Sequence, residues 1–78
     1  MEIKVLGTGC ANCKALYATV EKVVNELGIQ AEIIKEEDLM KIMEYNLMTL
    51  PALVINGKVV AKGRINASEV KELITSNQ

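Results

Sequence analysis

The dipeptide Asn56-Gly57 lies between two apolar runs, ALVI (52–55) and KVVAK (58–62). Asn and Gly tolerate positive φ better than other residues, so this pair predicts a type I′ turn and an antiparallel hairpin. Such a hairpin is marginal alone in water and needs further strands or a helix against its apolar face. The rest of the chain must supply them.

It does so in a regular order. EIKVL (2–6) is a short β-rich run that ends at Gly7 and Gly9. From Ala11 to Leu27, apolar residues recur at Cys13, Leu16, Val20, Val23, Val24 and Leu27. Steps of three and four mark one face of a helix, and Gly28 provides its left-handed stop. QAEIIK (30–35) reads as a second strand, and Asp38 caps a shorter helix with Leu39, Ile42 and Met43 on one face. After the hairpin, Asn66 and Glu69 have capping-box spacing, and Val70, Leu73 and Ile74 form the inner stripe of a last helix. The final residues, TSNQ, are expected to fray. The order β-α-β-α-β-β-α makes this an α/β chain with a four-stranded mixed sheet flanked by helices. The first two strands are parallel through a crossover, and the last two antiparallel. A single domain, residues 1–78, accounts for every segment.

The core of that domain must be aliphatic, since half of the 78 residues are apolar but none is Phe or Trp. Four methionines add to it; Met40, Met43 and Met48 suggest an adaptable patch, with core filling as the expected role. Nine basic and ten acidic residues are well mixed, which leaves no electrostatic footprint for nucleic acid or anionic lipid. No run approaches the ~18 apolar residues of a membrane span. The N-terminus lacks the basic and apolar regions of a secretory signal, so the expected location is cytoplasmic.

Both cysteines fall in the stretch GTGCANCK (7–14). Three uses compete: a structural staple, a metal clip, and a disulfide that opens and closes. A ring this small contributes roughly 2 kcal/mol as a staple, against ~4.7 for a 100-residue loop. A structural zinc site needs about four protein ligands, and the chain offers two thiols and no histidine. Two-coordinate Cu(I) stays open, because thiolates suit soft metals.

The redox use exploits the position. Cys10 lies in the turn before the first helix, facing unpaired N–H groups and the positive end of the macrodipole. Both favour thiolate and depress its pKa below the ordinary thiol value of about 8.5; Lys14 adds a neighbouring positive charge. Cys13 shares a face with Leu16 and Val20 and is expected to be more buried. One helical turn brings the two α-carbons within disulfide range. Cys10 is then the candidate nucleophile toward a substrate disulfide, and Cys13 the resolving thiol.

A strand, C-x-x-C opening a helix, then TLP (49–51) before a hairpin and a final helix resembles the thioredoxin superfamily. The similarity is to its compact prokaryotic, archaeal-type thioredoxin/glutaredoxin-like members. It covers nearly the whole chain and implies a minimal thioredoxin fold. The activity it implies is protein-disulfide reduction by a Cys10-Ala11-Asn12-Cys13 dithiol cycle, with no cofactor beyond that disulfide. It also implies that Pro51 is the family's cis-proline, and that the Leu50 backbone hydrogen-bonds an extended substrate segment. On sequence alone, Pro51 reads instead as a trans proline opening an edge strand.

The partners so implied are disulfide-containing proteins and a thioredoxin-reductase-like flavoprotein as electron donor. No glycine loop for a nucleotide follows a strand here. A monomer is expected, because the groove beside the thiols must stay open.

Departures are equally specific. The family places Trp before the first Cys, Gly-Pro between the two, and a buried Asp six residues before the first. This chain has Gly9, Ala11-Asn12 and Lys4. Lys4 is thus a candidate modulator of thiol ionisation with Lys14, against the plainer reading of a snorkelling strand lysine. The glutathione-binding Gly-Gly-x-x-Asp of glutaredoxins is missing, and Arg64 reads as a solvated loop residue, which favours protein disulfides over glutathione. Tyr17 reads as packing rather than as part of the site. A Cu(I) carrier of the heavy-metal-associated type also puts C-x-x-C between a first strand and helix, but its order β-α-β-β-α-β ends in a strand. A redox-sensing interaction module is the third reading, since sensor and catalyst use the same exposed thiol.

Overall fold

A computed structural model describes residues 1–78. Strands β1 (Glu2–Leu6), β2 (Glu32–Glu36), β3 (Ala52–Ile55) and β4 (Lys58–Lys62) alternate with helices α1 (Ala11–Leu27), α2 (Leu39–Met43) and α3 (Ala67–Ser76) in the expected order. The sheet runs β2-β1-β3-β4. β1 is parallel to β2, with Leu6 opposite Glu36, and antiparallel to β3, with Leu6 opposite Ala52. The hairpin turns at Asn56 and Gly57, whose φ values of 50° and 82° are those of a type I′ turn. An irregularity at Leu53/Val54 interrupts the β3–β4 register. The outer strand β4 carries exposed Lys58 and Lys62, charges that discourage pairing with other chains.

Alternation along the strands builds two cores of unequal size. Ile3 and Val5 of β1 and Leu53 and Ile55 of β3 point to one face. There they meet Leu16, Val20, Val23 and Val24 of α1 with Val70 and Ile74 of α3, a ten-residue aliphatic cluster. Leu6, Ala52 and Val54 point to the other face and meet Ile42 of α2, a cluster of four. All four residues of β3 are buried because both of its faces are covered.

Caps hold the helices as the sequence suggests. Gly28 sits at φ 64° and its N–H donates to Val24 and Asn25. Asn66 Oδ1 accepts the Glu69 N–H at 2.9 Å, and Asp38 Oδ1 that of Met40 at 2.9 Å. Three expectations fail. α3 continues through Ser76, where Asn77 Nδ2 donates to Leu73 O at 2.8 Å, so fraying does not reach Thr75. In α2 only Ile42 is buried; a helix of five residues presents barely one turn to the sheet. Met40, Met43 and Met48 are not core filling, being 74%, 60% and 100% exposed.

Candidate active site

Cys10 and Cys13 are joined as a disulfide with α-carbons 5.0 Å apart. Their surroundings differ sharply. Cys10 is exposed and is the N-cap of α1: its backbone is extended, its Sγ accepts the Cys13 N–H at 3.1 Å, and its carbonyl accepts the Lys14 N–H at 3.0 Å. The sulfur therefore takes the capping place normally filled by a Ser or Asp oxygen, where negative charge meets the helix's unpaired donors. Cys13 is 6% exposed, lying one turn inside the helix on its inward face.

Gly7 makes that burial possible. It is itself buried, and a β-carbon built on it would overlap Cys13 Sγ and come within 2.7 Å of Cys13 Cβ. The strand end and the second cysteine fit together only because position 7 has no side chain.

The hairpin brings Pro51 to the same end of the sheet. Ala52 pairs with Leu6, so Pro51 arrives beside Gly7, at the start of the cysteine loop. The Leu50–Pro51 peptide bond is cis, and Pro51 is buried. Gly63 N–H donates to Pro51 O at 2.7 Å, whereas the N–H and C=O of Leu50 enter no hydrogen bond within the chain.

A second set of side chains approaches Cys13 from β2. A small cavity of ≈ 10 Å³, room for about one water molecule, is lined by Val5, Gly7, Gly9, Cys13, Lys14, Lys35 and Glu37. Lys35 Nζ lies 5.0 Å from the centre of the Tyr17 ring, within cation–π range. Glu37 Oε2 lies 3.5 Å from where a side chain at Gly9 would begin.

The profile of the family described as "Thioredoxin domain" matches residues 1–75. This chain belongs to the thioredoxin family. A thioredoxin of Methanothermobacter thermautotrophicus is 38% identical to it over 76 residues, covering 96% of this chain and 99% of the relative. A thioredoxin of Methanocaldococcus jannaschii is 40% identical over 75 residues, covering 95% and 86%. A second thioredoxin of that organism is 42% identical over 53 residues, covering 64% and 62%. The protein is a thiol–disulfide oxidoreductase, a thioredoxin-like protein-disulfide reductase. Thioredoxin chemistry runs on the disulfide itself, with disulfide-containing proteins as substrates and a reductase that restores the dithiol. The carrier alternative loses its footing, since α2 separates the second and third strands, which the carrier order β-α-β-β-α-β joins without a helix.

Against the thioredoxin pattern, Lys4 does not reach the disulfide. It shares its face of β1 with Leu6, on the α2 side, and its Nζ lies 3.8 Å from Glu2 Oε1. Cys13 packs on the opposite face, beside Val5. Lys14 does border Cys13, across the small cavity. Tyr17 packs against the main core, and Arg64 lies exposed in a groove between α1 and α3 with Asn12, Ala15 and Glu69.

Gly7, Lys35 and Glu37 escape a reading of the sequence as site residues. The signal for the last two is parity. Ile33, Lys35 and Glu37 alternate with Ile34 and Glu36, so once Ile33 packs on the α1 side the other two must follow it there.

Proposed function

We propose that Cys10 attacks a substrate protein's disulfide and that Cys13 then resolves the mixed disulfide. In the first step the Cys10 thiolate bonds to one substrate sulfur and the other leaves as a thiolate. In the second, Cys13 bonds to Cys10, the substrate's remaining sulfur departs, and the protein is left oxidised while the substrate is reduced. The observation that carries this assignment is the asymmetry of the pair: one sulfur in the open at the mouth of a helix, the other sheltered one turn inside. Helix-terminus donors favour the Cys10 thiolate, and Lys14 adds to that field. Burial of Cys13 delays its attack until a partner is covalently attached next to it.

The free N–H and C=O of Leu50, ahead of cis-Pro51, support capture of the substrate as an added strand. The whole chain acts as one thioredoxin-like domain, a monomer whose disulfide end stays open. Its electrons come from a thioredoxin-reductase-like flavoprotein, and it works in the cytoplasm on protein disulfides.

The test is insulin reduction by the reduced protein, with Cys10→Ser and Cys13→Ser alongside. Both substitutions are expected to abolish turnover, and only Cys13→Ser to accumulate a mixed disulfide, detected by intact mass. Iodoacetamide labelling of reduced protein should give a Cys10 midpoint below about 8.5. Trapping through Cys13 in the Cys10→Ser protein, or a midpoint at the ordinary thiol value, would reverse the assignment.

A further inference from the structure

The resolving step needs a proton acceptor, because a sheltered Cys13 thiol must lose its proton as it attacks. We propose that Glu37 is that acceptor, acting across the small cavity that it shares with Cys13. The inference rests on Cys13 being the resolving thiol, as proposed above.

The backbone carries Glu37 to this place. Leu6 is opposite Glu36 in the parallel β1–β2 pair, and Gly7 N–H donates to Glu36 O at 3.0 Å. The residue after Glu36 is therefore delivered beside the Gly7–Gly9 loop. Gly9, at φ 87°, has no side chain to keep the carboxylate away. The cavity between the two groups has room for about one water molecule, so the transfer runs directly or through one water.

No other carboxylate competes. Glu36 alternates to the other face, where its Oε2 accepts the Asp38 N–H at 3.3 Å. Glu69 lines the groove on the far side of α1, and Glu2 pairs with Lys4. The charged groups facing Cys13 are Lys14 from α1 together with Lys35 and Glu37 from the end of β2. The two lysines favour the negative charge that passes through the Cys13 sulfur. Lys35 is steered into position by the Tyr17 ring.

The step balances. The Cys13 S–H bond breaks and its proton goes to the Glu37 carboxylate, while the sulfur's electron pair forms the bond to Cys10. The bond from Cys10 to the substrate sulfur breaks, and its electron pair leaves with the substrate thiolate. Cys10 and Cys13 end oxidised, and the substrate ends reduced. Glu37 then returns the proton to solvent or to the departing thiolate.

The experiment uses full-length reduced protein and dithiobis(nitrobenzoate) in a stopped-flow instrument. The first nitrothiophenolate released reports attack by Cys10, and the second reports resolution by Cys13. A positioned base contributes 10²–10⁴-fold; because Glu37 is exposed and water competes, the expected loss is about tenfold. Glu37→Gln should leave the first phase unchanged, slow the second about tenfold at pH 6–7, and converge on the unsubstituted protein by about pH 10. There the thiolate forms without help. Glu37→Asp should recover part of the rate, and Glu36→Gln should match the unsubstituted protein. A charge effect alone has the opposite sign, since removing a carboxylate favours thiolate and speeds the second phase. Faster release, no change, or equal slowing at every pH overturns the assignment of Glu37. A second release that persists in Cys13→Ser overturns instead the resolving role on which it depends.

Discussion

Gly7 offers a direct test of how the second cysteine is held. Its φ lies outside the left-handed region, so Gly7→Ala probes space and not backbone conformation. The added β-carbon would meet Cys13 Cβ at 2.7 Å and overlap Cys13 Sγ. Ordinary carbon–carbon contact is about 3.5–4.0 Å, so strand and helix must separate by roughly 1 Å. Overpacking of this kind typically costs about 1–3 kcal/mol. For a domain of this size that lowers the melting temperature by about 4–8 °C per kcal/mol. The oxidised protein should suffer more, because its Cys13 sulfur is tied to Cys10. In the reduced protein the freed thiol can turn to another rotamer and relieve the sulfur part of the clash, leaving the β-carbon part. Differential scanning of both redox forms measures the two losses. Their difference must reappear in a redox titration as a more oxidising couple, at about 30 mV for each 1.4 kcal/mol. An oxidised Gly7→Ala protein melting within 1 °C of the unsubstituted one would refute the argument that position 7 governs the seating of Cys13.

Two further outcomes concern the scaffold. Leu53→Ala removes a fully buried side chain from the ten-residue cluster and should cost about 2–5 kcal/mol in urea unfolding, much of the roughly 4–12 kcal/mol available to a chain of this length. Asn66→Ala removes the acceptor for the Glu69 N–H and should cost about 1 kcal/mol in urea unfolding.

Much of this molecule is legible in its sequence because several signals are local. Asn56-Gly57 specifies its turn without help from the rest of the chain, and Gly28 and Asn66 act within a single helical turn. The inward face of α1, from Cys13 through Leu16 to Val24, follows from periodicity over 17 residues. What the sequence leaves open is which sheet face each helix covers. In β1, Val5 and Leu6 are both buried, on opposite faces, so alternation gives no hint that Lys4 turns away from Cys13. The approach of Glu37 is set by a parallel register between strands joined by a long crossover, which no local motif encodes. The methionines of α2 mislead for a related reason: five residues are too few for a periodic stripe, and apolar character alone does not say that a side chain is covered.

The inequality of the two cores has a dynamic consequence. α1 and α3 are clamped over the sheet by ten buried residues, whereas α2 and the segment leading to Leu50 are anchored through four. Local opening follows the thinner side, where fewer apolar contacts must be broken. The helix presenting Cys10 thus stays rigid through the cycle while the opposite lip of the groove can yield. A single small thioredoxin can in this way admit targets of different shape without loosening its chemistry.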